Sequence, residues 1–313
     1  MKLPCTLAHT AAQEGIDARI ETMRGEVDRV RAADVDGVHD MRVSSRRLRA
    51  ALEGHDALFK RPLLKAVLTR AKQVTRSLGI ARELDVCIGL LDARKGDFDE
   101  DARYALHHVR RGLLKLRAEC VHEVGHAAEL VEAPQFEVDI HALYADTVPA
   151  ETCYLEHASR VILKAYAGLC AAYQKWRKTH EEEDLHAARI AFKKLRYHCE
   201  LYDDLFGPEN KGFVKQLKDA QEALGSWNDV RVLRDYARSF AAEAPPRAAQ
   251  GMPRFLAELD KEVIQLLEQF KKDSRRFFSK SRQRRTHAFY RWPARRCCML
   301  PTAKEATKES DPS

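Results

Sequence analysis

Apolar residues recur every three or four positions along almost the whole chain, and this spacing limits the folds that the chain can adopt. One series runs through Ile16, Ile20 and Met23, and another runs from Val161 to Trp176. Each places an apolar stripe on one side of a helix. No segment shows a convincing strand alternation, and only 14 Gly and 11 Pro punctuate the 313 residues. The sequence therefore predicts an all-α fold.

The predicted helices form two sets. Residues 1–124 and 153–283 are expected to form two helical bundles, joined by a connector at 125–152 that contains Pro134 and Pro149. Residues 284–313 are expected to be a disordered basic tail. The predicted helices lie near residues 9–33, 37–59, 63–78, 83–94, 97–124, 153–179, 183–205, 210–224, 228–241 and 253–283.

The two sets share residues as well as helices. The first half contains His39, Arg42, Arg46 and Arg49, and the second half contains the same pattern 147 positions later, in His186, Arg189, Lys193 and Arg196. At a shift of 146 positions, the matches are Lys65 with Lys211, Lys72 with Lys218, Leu78-Gly79 with Leu224-Gly225, and Glu83 with Asp229. The sequence therefore predicts a tandem duplication of two antiparallel bundles.

The repeated basic residues are spaced to share one helix face. Steps of three, four and three residues keep four side chains within a stripe roughly 80° wide. Apolar residues lie beside this stripe, which places it in a groove next to a neighbouring helix. A second basic stripe is expected on the following helices, at Lys65, Lys72 and Arg76 in the first half and at Lys211, Lys215 and Lys218 in the second. Because like charges on one face destabilise a helix, the pattern favours a ligand with repeated negative charge. The alternative is that these are solvated faces whose stems cover apolar surface.

The Leu-Gly pairs have a structural interpretation. Gly79 and Gly225 suit the left-handed residue that follows a helix, and Asp229 could cap the next helix. The alternative is that Glu83 or Asp229 orients a basic side chain of the groove.

Four segments, in this order, resemble the CHAD (conserved histidine α-helical domain) family: residues 38–49, 78–86, 185–197 and 221–229. Glu83 stands where that family usually has Asp, which keeps the carboxylate. The resemblance implies two four-helix bundles related by a pseudo-two-fold axis, with a basic central channel that binds inorganic polyphosphate. It implies a binding protein without catalytic residues, cofactor or metal. The residues expected to contact polyphosphate are His39, Arg42, Arg46, Arg49, Lys65, Lys72, Arg76, Arg82, His186, Arg189, Lys193, Arg196, Lys211, Lys215 and Lys218.

The histidines allow two interpretations. His39 and His186 could be neutral and hydrogen-bonded within the interface. Alternatively, bound phosphate could raise their pKa values, so that they add cations at mildly acidic pH.

Two other functions have weaker support. Residues 271–296 carry eleven basic residues against one acidic residue, which could form a nonspecific nucleic-acid contact. His122, Glu123 and His126 match HExxH, the pattern of a zinc hydrolase helix, but the downstream ligand pattern is missing.

The eight cysteines show no CxxC pair, which favours a reducing compartment. No run is apolar enough to cross a membrane, and the first residues lack the apolar core of a secretory signal. We expect a cytoplasmic protein, associated with polyphosphate granules if it binds polyphosphate.

Overall fold

The computed structural model describes residues 8–94, 98–148 and 153–297. Within these ranges the regular elements are helices, and no strand forms. This confirms the all-α prediction. The α-helices are α1 (Ala8–Arg24), α2 (Val27–Arg31), α3 (Val35–Gly54), α4 (Arg61–Ser77), α5 (Gly79–Ala93), α6 (Glu100–Glu119), α7 (Val121–Glu132), α8 (Pro134–Ala145), α9 (Tyr154–Thr179), α10 (Glu182–Leu201), α11 (Asp203–Phe206), α12 (Pro208–Ala241), α13 (Pro246–Phe277) and α14 (Lys280–Cys297).

Local signals in the sequence explain several helix ends. Asp34 precedes α3 and its side chain accepts a hydrogen bond from the backbone N–H of Gly37 at 2.7 Å. Asp99 caps α6 in the same way, through the N–H of Ala102 at 2.9 Å. At the end of α9, His180 adopts the left-handed conformation with φ of 58°. Such caps satisfy backbone groups that the helix itself leaves without partners.

The predicted connector is mostly helical. Residues 121–132 and 134–145 form α7 and α8, and Pro134 is the first residue of α8 rather than the centre of a loop. Proline is tolerated at a helix start because its missing N–H has no partner there in any case. Phe136, Ile140 and Leu143 are buried, and α8 packs against α4. Residues 149–152 lie outside the described residues.

The break predicted between residues 224 and 228 is absent. Helix α12 runs without interruption for 34 residues, and Gly225 lies in its middle. Gly79 is the first residue of α5, and neither glycine has a positive φ. The interpretation of these glycines as left-handed caps is therefore wrong, as is that of Asp229 as a cap. A single internal glycine costs a helix about 1 kcal/mol, which tertiary packing can offset.

The predicted disordered tail is also partly helical. Residues 280–297 form α14, which packs against α9. Tyr290 is fully buried, and its hydroxyl donates a hydrogen bond to Asn210 Oδ1 at 2.7 Å. A buried aromatic ring with a satisfied hydroxyl compensates for ordering this basic segment. Residues 298–313 lie outside the described residues.

The two halves of the chain pack against each other along several helices. Helix α3 contacts α10, α5 contacts α12, and α6 lies along α13. The contact of α6 with α13 is close, because a Cβ at Gly251 would overlap the backbone carbonyl of Asp101. Helix α6 also approaches α12 closely, since a Cβ at Gly112 would lie 2.7 Å from the Phe240 ring. These contacts bring the basic faces of α3 and α10 together. The duplication, and the domain boundaries at residues 124 and 153, stay predictions from the sequence.

Candidate functional site

A cavity of ≈ 350 Å³ opens where α3, α5, α10 and α12 meet. We call it the basic groove. Its charged lining comes from both halves of the chain. The lining residues are His39, Arg42, Val43, Arg46, Gly79, Arg82, Glu83, Val86, Cys87, His186, Arg189, Lys193, Asn228, Asp229, Arg231 and Val232. The first three positions of each predicted basic stripe therefore lie in one cavity.

The packing of α3 and α10 explains why these faces are accessible. On α3, Val38, Met41 and Leu48 are fully buried, while Arg42 and Arg46 are half-buried beside them. On α10, Phe192 and Leu195 are fully buried next to the basic stripe. The apolar face of each helix is held in the core, so the adjacent basic face turns toward the other helix.

Several of the cations lack protein partners. In the described ranges, no carboxylate oxygen lies within 4.0 Å of the charged groups of Arg42, Arg46 or Lys193. The buried Nε atoms of Arg42, Arg49 and Arg189 also have no hydrogen-bond partner. A buried donor without an acceptor costs about 1–3 kcal/mol. The groove therefore presents N–H groups that an anionic ligand could satisfy.

Burial and mutual repulsion change the acid–base behaviour of these cations. Desolvation, together with repulsion by the guanidinium of Arg46, lowers the pKa of Arg42 to about 10. Desolvation lowers the pKa of Lys193 to about 6, with additional repulsion from Arg46 and Arg189. Asp229 acts in the opposite direction on Lys193 but is outweighed. Lys193 is therefore largely neutral at pH 7 until an anion compensates for its charge.

The histidines behave in the same way. His39 is partly buried, and burial together with Arg82 lowers its pKa below 6.5. For His186, burial and then Arg189 and Arg231 lower the pKa. Both imidazoles are therefore mainly neutral at pH 7. The neutral state agrees with the interpretation of His39 and His186 as uncharged residues of the interface. The alternative, that a bound anion raises their pKa values, stays a prediction.

Two carboxylates lie within the groove. Asp229 Oδ1 is 4.0 Å from Arg189 Nη2, a loose ion pair without a hydrogen bond, so an orienting role for Asp229 stays a prediction. Glu83 Oε1 accepts a hydrogen bond from the Tyr236 hydroxyl at 3.1 Å. Burial, together with these two carboxylates, raises the pKa of Cys87 to about 12, so this thiol is not a nucleophile at neutral pH.

The outer ends of the two stripes differ. Arg196 is buried and held by Gln221 at 2.8 Å and Glu200 at 2.6 Å. Its guanidinium carbon also lies 4.6 Å from the centroid of the Tyr197 ring. Arg49 is half-buried. Neither Arg49 nor Arg196 lines the basic groove.

The second predicted stripe lies elsewhere. Lys65, Lys72, Arg76, Lys211, Lys215 and Lys218 are exposed, and none of them lines the basic groove. Lys65 borders a different cavity, between α4 and α9. The sequence predicted that these lysine-rich stripes share one groove with the His/Arg stripes of α3 and α10. The positions of their residues do not support that prediction. The periodicity assigned the lysines to helices, but could not say how α4 and α12 are rotated about their axes.

Arg231 is a groove residue that the sequence analysis missed. It lies on α12 and pairs with Asp235 at 3.0 Å, and its guanidinium is 5.8 Å from the Trp227 ring. The position 146 residues earlier is Asp85, so the comparison of the two halves gave no signal there. In the sequence, Arg231 is notable only because it follows residues 221–229, the fourth segment that resembles the CHAD family.

The HExxH pattern does not form a metal centre. His122 and His126 are exposed on α7, and His126 Nδ1 lies 3.2 Å from Glu129. Over residues 8–94, 98–148 and 153–297, no three His, Cys, Asp or Glu side chains are grouped so that they could hold a metal ion. Nor does any helix in these ranges combine the length and apolar character needed to cross a bilayer.

Comparisons with known proteins agree with this architecture. Among solved structures, the chain is similar to the crystal structure of the CHAD domain from the plant Ricinus communis, with 21% identity and a TM-score of 0.66 over 85% of this chain and 90% of that chain. It is also similar to PptA from Streptomyces chartreusis, with 15% identity and a TM-score of 0.67 over 86% of this chain and all of that one. No curated protein sequence matches the chain.

The family comparison covers most of the molecule. Residues 14–238 match the model of the CHAD domain, and this range contains all the residues of α3, α5, α10 and α12 that line the basic groove. At these identities the solved structures establish the shared fold, while the family model identifies the sequence itself. The chain belongs to the CHAD domain family.

Proposed function

We propose that this protein binds inorganic polyphosphate in the basic groove and does not act on it chemically. The observation that carries the proposal is the meeting of Arg42 and Arg46 of α3 with Arg189 and Lys193 of α10 in one cavity. Arg42 and Arg46 have no carboxylate within 4.0 Å in the described part of the chain, and the same is true of Lys193, which becomes charged when an anion compensates for its burial. Unpaired cations brought together in this way need an anion to offset their repulsion.

The chemistry of polyphosphate suits this lining. Polyphosphate is a flexible strand with about one negative charge per unit, so binding neutralises charge and releases counterions. Each arginine can donate two parallel hydrogen bonds to phosphate oxygens, whereas Lys193 supplies a single compact charge. The His39 and His186 rings can add donors at lower pH. We place these residues, with Arg82 and Arg231, in contact with the strand.

The remaining predicted cations are proposed as outer contacts. Lys72, Arg76, Lys211, Lys215 and Lys218 are exposed and could meet a long strand after it leaves the groove. Arg49, with its unpartnered Nε, is proposed to bind at the mouth of the groove. Arg196 already has two side-chain partners, so we propose a positioning role for it.

A nucleic acid is a poorer fit to the groove. Strands of bases need aromatic faces on which to stack. The lining of the basic groove contains no Phe, Tyr or Trp. Tyr197 contacts the groove residue Arg46, but it is buried, and its ring is covered by Arg46 and Arg196. The exposed Arg284, Arg285 and Arg291 of α14 favour nucleic acid as a second candidate at a separate surface. We propose a cytoplasmic location for the protein, with association to polyphosphate granules following from the binding.

The proposal is tested by titrating the full chain with long-chain polyphosphate, tripolyphosphate and duplex DNA across a series of salt concentrations. We expect polyphosphate to bind most tightly, with log affinity falling by about 0.7 for each neutralised phosphate per unit of log salt. Polyphosphate should displace DNA far better than DNA displaces polyphosphate. Tighter binding of DNA, or a polyphosphate affinity independent of salt, would contradict the proposal.

A further inference from the structure

A second cavity, of ≈ 920 Å³, lies on the opposite flank of α10 from the basic groove. We call it the apolar cavity. Its floor consists of Leu64 and Leu68 of α4 and of Val161, Ala165 and Gly168 of α9. These residues are three or four positions apart within each helix, so each helix presents one face to the cavity. No lining residue is shared with the basic groove.

The apolar surface continues onto α10. Ile190 is 53% exposed although it borders the cavity, and Ala187 and Ala191 lie beside it. Small side chains on α9 and α10 leave space rather than filling it. A Cβ at Gly168 would meet no atom within 4 Å. A cavity of this size falls within the range of about 300–1,000 Å³ that is typical of small-molecule sites.

The rim of the apolar cavity is basic. Its cations are Lys60, Arg61, Lys65, Lys164 and Lys194, and its carboxylates are Glu53 and Asp56. Lys194 pairs with Glu53 at 3.1 Å, and Lys60 pairs with Asp146 at 2.6 Å. Among the described residues, Arg61, Lys65 and Lys164 have no carboxylate within 4.0 Å. An anion at this rim would therefore meet cations that the protein leaves unpaired.

The N-terminus of α4 also favours an anionic ligand. Lys60 precedes the helix and makes no side-chain capping bond, and the first turn contains no acidic residue. The N-terminal end of a helix carries partial positive charge, so the cations Lys60 and Arg61 are unfavourable there. A bound anion would compensate both for this end of α4 and for its flanking cations.

His198 supplies an independent sign that the cavity accepts a ligand. The side chain borders the apolar cavity and is only 2% exposed. One ring nitrogen interacts with the backbone of Ala50, and the other has no hydrogen-bond partner. Burial lowers the pKa of His198 to about 4, so its neutral ring offers one donor and one acceptor at pH 7. Buried polar atoms without partners are uncommon and call for an explanation.

We propose that the apolar cavity binds a small anionic amphiphile, with a carboxylate or phosphate headgroup on an acyl or aryl body. The headgroup lies against Arg61, Lys65 and the start of α4. The apolar body lies on Leu64, Leu68 and the open face of α9 around Gly168. This site is separate from the basic groove and does not depend on the proposed binding of polyphosphate.

The test uses 8-anilinonaphthalene-1-sulfonate, a fluorescent anionic amphiphile, with the full chain. Gly168→Leu should fill the cavity without disturbing the fold, because the added Cβ meets open space. We expect this variant to weaken dye binding at least tenfold. Gly89→Leu is the matched control, since Gly89 lies inside α5, away from the cavity, and its Cβ also meets no atom within 4 Å. It should bind the dye as the unaltered protein does.

Displacement identifies the chemistry of the ligand. Laurate and dodecyl phosphate should both release the dye, and their relative potencies distinguish a carboxylate from a phosphate headgroup. Dodecanol should be at least tenfold weaker, because it lacks the charge. Arg61→Gln combined with Lys65→Gln should remove the preference for the anions. Polyphosphate titration of Gly168→Leu should be unchanged, which separates this site from the basic groove.

Any of three results would overturn the proposal. One is unchanged dye binding by Gly168→Leu with a normal near-ultraviolet circular dichroism spectrum. The second is equal displacement by dodecanol and laurate, and the third is release only by an acidic amphipathic peptide. The last outcome would assign the cavity to a partner helix instead.

Discussion

The guanidinium carbon of Arg46 lies 5.5 Å from the centroid of the Tyr197 ring, so a cation of α3 rests against an aromatic ring of α10. Arg196 approaches the same ring, with its guanidinium carbon 4.6 Å from the centroid. The ring is 7% exposed, which strengthens such contacts because little water competes for the cation. Tyr197 thus contacts cations from both halves of the chain, one of which, Arg46, lines the basic groove.

Replacement of Tyr197 should test whether its ring orients Arg46. We expect Tyr197→Leu to weaken polyphosphate binding by about three- to tenfold, because a cation–π contact contributes about 0.5–2 kcal/mol. Tyr197→Phe keeps the ring and should bind normally in the same titration. Equal losses in both variants would show that the ring is not what holds Arg46.

Charge reversal in the groove should abolish binding. Arg46→Glu combined with Lys193→Glu places two carboxylates among Arg42 and Arg189, where they would take the place of phosphate. We expect at least a hundredfold loss of polyphosphate affinity, measured by calorimetry, with an unchanged helical circular dichroism spectrum.

The matched control replaces one arginine and one lysine by glutamate on another surface. Arg111→Glu combined with Lys115→Glu alters exposed positions on α6 that do not line the groove. We expect less than a threefold loss. Similar losses in the two double variants would mean that only the overall charge matters.

Binding should take up protons. Burial in the groove lowers the pKa of Lys193 to about 6 and lowers those of His39 and His186 below 6.5. A bound polyanion raises these pKa values, so affinity should increase as pH falls from 8 toward 5.5. Each linked proton contributes up to tenfold per pH unit. Calorimetry at pH 7 in MOPS and in Tris should report uptake of about one proton.

The variant Lys193→Met separates the proton uptake of Lys193 from that of His39 and His186. This variant should lose most of the proton uptake above pH 6.5, leaving the histidine contribution at lower pH. Proton uptake at pH 7 equal to that of the unaltered protein would show that Lys193 is not the titrating group.

The same substitution should stabilise the fold. Lys193 has a pKa of about 6 when folded but near 10.5 when unfolded, so the folded state binds fewer protons between these values. Burying Lys193 therefore lowers the free energy of unfolding by its full amount below pH 6, and this effect disappears as pH approaches 10.5. We expect Lys193→Met to raise the free energy of unfolding at pH 6 by about 1 kcal/mol or more, as measured by urea denaturation. The gain should shrink as pH rises, and a gain that grows with pH would contradict this explanation.

Helix α14 should contribute to stability rather than to polyphosphate binding. Deletion of residues 284–313 removes the buried Tyr290 and its hydrogen bond to Asn210. Loss of a buried aromatic side chain costs about 3–5 kcal/mol, so the melting temperature should fall clearly. The deletion removes both the buried Tyr290 and the charges of α14, so it cannot separate an effect on folding from an effect on binding. The charges are therefore tested with the triple variant Arg284→Gln, Arg285→Gln and Arg291→Gln. This exposed triple variant should melt normally and keep its polyphosphate affinity. A large loss of affinity would move the binding surface to α14.

The sequence by itself determined the helical class, the two equivalent basic stripes and their position beside the core. Spacing of three and four residues is a local property, because it follows from the geometry of a single helix. His39, Arg42 and Arg46, and likewise His186, Arg189 and Lys193, could therefore be placed on one face each before any contact between helices was known.

Only the tertiary structure decided which faces meet. The packing of α3 on α10 and of α5 on α12 brought these six residues together with Arg82 and Arg231, while Lys65, Lys72 and Lys218 were left on other surfaces. It also made one helix of residues 208–241 and ordered α14 through Tyr290. These outcomes depend on contacts between side chains that are far apart in the chain. The free energy of this packing outweighs local preferences, such as the low helix propensity of Gly225.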